Sequence, residues 1–224
     1  MSGKYFFEEN KYDISLTFHL KKVSNQENHD EKKLIYCDQR GFSVFHLQPL
    51  ETFRSLLPYK EIGPDLIQEE VTVEYLIERF QKLRIPIKAA LLEQKIMSGI
   101  GNIYASEILF AAKIHPKEIT QTLTPKEIEK ILQITKDILK KAIKAEGTSE
   151  FDFVNPLNKE GSYQNELKVY NRVGKRCPHC DKNNILTLIE QVEPKINGRS
   201  TFFCPKCQAF KKTEQILPKR LAKL

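Results

Sequence analysis

The chain has 224 residues, 40% of them hydrophobic, enough for one large or two to three small cores, which excludes a disordered polypeptide. Lys and Arg outnumber Asp and Glu by 36 to 29, giving a formal charge of +7 and a pI near 9.0, a surplus that favours polyanions without selecting one. No apolar run reaches the length of a membrane span, and MSGKYFFEEN lacks the apolar segment of a secretory signal, so a cytoplasmic protein with no membrane partner is expected.

Across residues 13–21, apolar Ile14, Leu16, Phe18 and Leu20 alternate with Ser15, Thr17, His19 and Lys21. That period of two predicts a half-buried strand. Two more strands are predicted over 34–37 and 42–47, making an antiparallel sheet that ends near Gly63-Pro64. Cys37, on the second, reads as a small half-buried hydrophobe.

From Thr72 the period changes: Val73, Leu76, Ile77, Phe80 and Leu83 fall on one helix face. Helices are predicted over 87–97 and 103–112. Thr124-Pro125-Lys126-Glu127 has the form of a capping box with proline at the first helical position, opening a helix that ends by Gly147. Between the two middle helices lies SGIGNIYASE, where Gly99 and Gly101 break the helix and Asn102 stands ready to cap the next one. Its free N–H groups would suit a phosphate, although an ordinary corner between helices has the same residues.

The C-terminal part holds Cys177-Pro-His-Cys180 and Cys204-Pro-Lys-Cys207, with 23 residues between the pairs. Four thiolates can surround one structural Zn²⁺, and a reducing compartment favours that reading over disulfides. His179 is a competing ligand. Strands are predicted over 185–192 and 200–203, joined by the turn pair Asn197-Gly198.

The run IKAALLEQKIMSGIGNIYASEILFAAKIHP, residues 87–116, resembles the helix-two-turn-helix motif of the formamidopyrimidine-DNA glycosylase and endonuclease VIII family. GRSTFFCPKCQ, residues 198–208, resembles that family's zinc-finger hairpin, and Asp38-Gln39-Arg40-Gly41-Phe42-Ser43 and Ile62-Gly63-Pro64-Asp65 match weaker landmarks in order. The resemblance implies an α+β fold: a partial antiparallel β-sandwich over 1–63, a helix-two-turn-helix domain over 70–165, a zinc-finger β-hairpin over 168–210 and a basic tail over 211–224. It implies a monomer that binds damaged double-stranded DNA in base-excision repair, removing oxidised purines and cleaving the abasic site by β,δ-elimination.

Carried onto this chain, the family pattern assigns phosphate contacts to Arg84, Lys88, Asn102 and Arg199, and gives Arg199 a part in the second elimination. Met1, Arg40 and Phe42 match the wedge that fills the gap left by an everted base. The bland alternative makes Phe42 a strand residue and Arg40 a turn residue. The loop over 151–164 corresponds to the cover of an everted purine. The basic tail reads as a solvated segment.

The family's N-terminal proline nucleophile, the glutamate after it and a later lysine have no counterpart in this sequence. The expectation is therefore a truncated or inactive chain, or a non-catalytic damaged-DNA-binding zinc protein. Gln39, Gly41 and Tyr12 also depart from the pattern, and the zinc pairs are more widely spaced. An RNA- or ribosome-associated protein is the more distant alternative.

Overall fold

The computed structural model describes residues 3–7, 16–20, 32–149 and 154–211. The described residues within 1–60 and 140–167 form one unit, and those within 61–139 and 168–211 form the other. Helices and cysteine hairpin thus share a unit, and the expected helical segment 70–165 is divided within its last helix.

In the first unit, β1 (Gly3–Phe6), β2 (Leu16–Leu20) and β3 (Lys32–Asp38) make an antiparallel sheet in the order β1-β3-β2. The predicted strand over 13–21 is observed in part, since residues 13–15 and 21 lie outside the described residues. Residues 42–47 do not form the expected strand. β3 has β1 on one edge and β2 on the other, so no edge of it is open to a fourth strand. Phe6, Ile35 and Cys37 form a small core with Val154 against it.

The second unit holds the main core. Thr72 caps α1 (Val73–Gln81), its side chain accepting from Tyr75 N at 3.2 Å, and the helix buries Leu76 and Phe80. α2 (Ile87–Leu92) stops five residues short of the expected end. Beyond it the carbonyls find partners outside a helix: Gln94 O accepts Gly63 N at 2.8 Å, and Ile96 O accepts the Tyr75 hydroxyl at 2.8 Å. α3 (Asn102–Ala112) is buried on most sides. α4 (Pro125–Lys144) begins at a reciprocal capping box, with Glu127 N donating to Thr124 Oγ1 at 3.3 Å and Thr124 N to Glu127 Oε2 at 2.9 Å.

The short helix α5 (Pro178–Asp181) holds Cys180 and has Cys177 as its N-cap, and β4 (Glu190–Gln191) pairs with β5 (Phe202–Phe203). Both strands are shorter than expected. The reason lies upstream: Cys177 N donates to Thr187 O at 2.8 Å and Ile189 N to Lys175 O at 2.9 Å. The first half of the predicted strand is thereby taken by residues 174–177.

Candidate nucleic-acid and metal sites

Ile100 explains the first of the two glycines that bracket it. It is 2% exposed and belongs to the main core, so the backbone must turn sharply to deliver it there. Gly99 makes the turn at φ +94°, a value costly for any residue with a Cβ. The Gln94 carboxamide braces it, accepting Gly99 N at 3.1 Å and donating to Ile100 O at 3.0 Å and Leu92 O at 3.1 Å. From the other side Gly63 packs so closely that a Cβ would come within 2.7 Å of the Ile96 carbonyl carbon.

Gly101, not Asn102, is the N-cap of α3; Asn102 is the first helical residue, and no side chain caps this terminus. The sequence expectation is thus shifted by one position. Gly101 has φ −105° and ψ −179°, which any residue can adopt, and a Cβ there would meet nothing within 4 Å. Neither its φ nor crowding among the described residues calls for glycine, although an N-cap takes glycine more readily than alanine. Beside it Asn102 Oδ1 is buried with no hydrogen-bond partner among the described residues. The terminus is therefore open, with the positive end of an eleven-residue helix dipole behind it.

Arg84 is exposed between α1 and α2. Arg199 is exposed at the tip of the hairpin, where Asn197 (φ 50°) and Gly198 (φ 68°) form the turn and Ile196 bridges to Arg199. Lys88 departs from the surface role implied by the resemblance. It is 0% exposed, and its ammonium donates to Ser200 O at 2.8 Å and Thr201 Oγ1 at 2.7 Å. Burial, and secondarily the charge of Arg199, lower its pKa to about 7. Its immediate partners are the hairpin, which no local sequence pattern indicates.

In the first unit Asp38 builds the loop that carries Arg40 and Phe42. Its carboxylate accepts Arg40 N at 3.2 Å, Ser43 N at 2.9 Å and Ser43 Oγ at 2.6 Å. The Arg40 guanidinium stands 5.2 Å from the centre of the Phe42 ring, which is 75% exposed. Met1, the third residue of the expected wedge, lies outside the described residues, as do Tyr12, residues 151–153 of the expected purine cover and the tail from 212.

Cys177, Cys180, Cys204 and Cys207 bring their sulfurs within 4.8 Å of one another, an arrangement that could hold a metal ion. Cys177 to Cys207 and Cys180 to Cys204 are 3.7 Å, and Cys180 to Cys207 is 3.4 Å. His179 Nδ1 lies 3.4 Å from Cys207 Sγ, beside the four-sulfur cluster. Burial pushes the Cys204 thiol up to about 11 and raises Cys207 as well. Gln208 fastens the second pair to the helical core, accepting Cys204 N and donating to Ile114 O, both at 2.9 Å. Glu107 does the same for the preceding loop, accepting from the backbone N–H groups of Lys168, Val169 and Tyr170 at 2.8 to 2.9 Å. Burial nevertheless raises its pKa.

Residues 62–153 match the model of the formamidopyrimidine-DNA glycosylase H2TH domain. The formamidopyrimidine-DNA glycosylase of Desulforamulus reducens is 36% identical over 199 residues, covering 89% of this chain and 69% of that protein. The chain belongs to the formamidopyrimidine-DNA glycosylase family. The glycosylase of Mycoplasma pneumoniae is also 36% identical, over 93% of this chain and 72% of its own length, and that of Pelotomaculum thermopropionicum 36% over 80% and 62%. Among solved structures, Lactococcus lactis Fpg in complex with an abasic site containing DNA has a TM-score of 0.76 at 33% identity, covering 93% of this chain and 72% of that one. The chain thus spans about two thirds of the length of its formamidopyrimidine-DNA glycosylase relatives. Among its described residues no helix is long and apolar enough to cross a membrane.

Proposed function

We propose that this chain grips damaged double-stranded DNA in base-excision repair. The open terminus of α3 and the hairpin tip would hold phosphates, and the Arg40–Phe42 loop would wedge the base stack. The observation that carries the reading is Gly101: its Cβ position meets nothing among the described residues and no side chain among them caps the helix, so the terminus would have room for a ligand. A sugar-phosphate strand lying against the helix N-terminus is the ligand that such a terminus favours. Asn102 and the exposed Arg84 and Arg199 would supply donors and charge around it.

The lesion class follows the relatives. Lactococcus lactis Fpg variants were crystallised with Fapy-dG containing DNA, and MutM with carbocyclic 8-oxo-G containing DNA. We therefore propose oxidised purines as the lesion, and glycosylase and abasic-site lyase chemistry as the reaction served, with Arg199 contributing to the second elimination. The cysteine cluster would hold one structural Zn²⁺: a tetrahedron of Zn–S bonds of about 2.3 Å has edges of about 3.8 Å, close to the observed sulfur separations. Such an ion would fold the hairpin and take no part in the reaction.

Competition binding tests the reading, with an abasic-site duplex, an undamaged duplex and a structured RNA of equal length. The abasic duplex should compete best; preference for the RNA would overturn it. Borohydride trapping on the same abasic duplex tests the lyase proposal separately, since a covalent adduct reports an amine attacking the sugar C1′.

A further inference from the structure

Lysine is almost never fully buried without a charged partner, yet both acceptors of the Lys88 ammonium are neutral. Removing that charge from water is costly, and an apolar residue of similar length would fill the space without the penalty. What the lysine provides is direction. Ala89, Val192, Ile196 and Phe203 form an apolar patch between α2 and the hairpin, and apolar contact alone lets two surfaces slide. Two short hydrogen bonds from Lys88 fix one limb of the hairpin against the helix. Thr201 passes the constraint on, its hydroxyl donating to Arg199 O at 3.2 Å. On the other limb Lys117 Nζ donates to Glu193 O at 2.6 Å, a second tether at the exposed surface.

We propose that Lys88 is a positioning residue for Arg199: through Ser200 O and Thr201 Oγ1 it sets where the hairpin tip holds its guanidinium, and so how tightly the chain grips DNA phosphate. The inference rests on the DNA-binding reading above for its effect on affinity, and on geometry alone for its effect on the hairpin. Lys88 acts from inside the protein and touches no phosphate itself.

Two measurements separate these. Hydrogen exchange of the metal-loaded full chain without DNA reads the positioning: Lys88→Met should lose protection at the Arg199 and Val192 amides, which donate to Ile196 O at 2.9 Å and Thr201 O at 2.8 Å, while α3 and α4 keep theirs. Unchanged protection there would overturn the inference, whatever DNA does. Binding to an abasic-site duplex then reads the consequence through a double-mutant cycle. Lys88→Met should weaken binding roughly tenfold or more alone, but little in an Arg199→Ala background. Independent, multiplying losses would mean that Lys88 contacts phosphate or acts elsewhere, and would overturn it too. Should Lys88→Met fail to fold, Thr201→Val serves in its place, expected to lose the same protection and affinity, with Thr201→Ser restoring both. A Thr201→Ser chain that behaves like Thr201→Val would contradict the relay. Wild-type chain that binds no duplex would sink the DNA-binding reading while leaving the exchange test standing.

Discussion

Gln94 and Gly99 are joined side chain to backbone, with Gln94 Oε1 accepting Gly99 N at 3.1 Å while the same carboxamide donates to Ile100 O at 3.0 Å. One side chain thus braces both arms of the turn that precedes α3. Gln94→Ala removes these bonds and should cost about 1 to 2 kcal/mol of stability. Because the turn orients the open helix terminus, duplex affinity should fall as well. Urea denaturation and duplex titration check the two effects.

Gly101→Ala should separate stability from binding. The backbone there is extended and the Cβ would meet nothing among the described residues, so alanine gains about 0.4 to 1 kcal/mol through the unfolded chain, but as an N-cap it is poorer than glycine by a similar amount, and stability should change little. The same methyl would stand where the phosphate strand is proposed to lie. A nearly unchanged melting temperature together with weaker duplex binding is the expected pair of results.

The buried Lys88 gives stability a definite pH dependence. Its pKa is about 7 in the folded chain and about 10.4 in the unfolded one. Between those values the unfolded chain binds more protons, so stability should rise as pH climbs from about 7 towards 10. Below pH 7 both states are charged and this contribution is flat. Lys88→Met should lack the rise when denaturation is followed across that window.

These residues also show what was legible beforehand. The Thr124–Glu127 box, the Cys-x-x-Cys pairs and the Asn197-Gly198 turn are local signals, and each appears in the structure where the sequence places it. Non-local competition erased other signals. Residues 42–47 have the pattern of a strand, but β1, itself missed, occupies the edge of β3 they would need. Residues 187–189 pair with 174–177, and only Glu190–Gln191 form a ladder with the limb after the turn. Lys88 looked like a surface cation because its partners stand 112 and 113 residues away. Gln94 and Gln208 carried no signal at all, since a glutamine that braces a turn has the same local appearance as a solvated one.

Metal removal should act on the hairpin first. In the metal-free protein burial holds Cys204 near 11 and raises Cys207, so binding a divalent ion must release thiol protons and weaken as pH falls. Chelation at neutral pH should abolish amide protection across 176–208 and lower duplex affinity, while α1 to α4 retain their helical signal. Release of about one equivalent of zinc, measured by atomic absorption, would accompany it.

The most direct test of the central claim, that the chain holds DNA by its phosphates, is the affinity for an abasic-site duplex across a salt series. With about three to five phosphate contacts, log K should fall against log salt with a slope of roughly −3 to −4.5. A slope near zero, or no binding at low salt, would contradict the account.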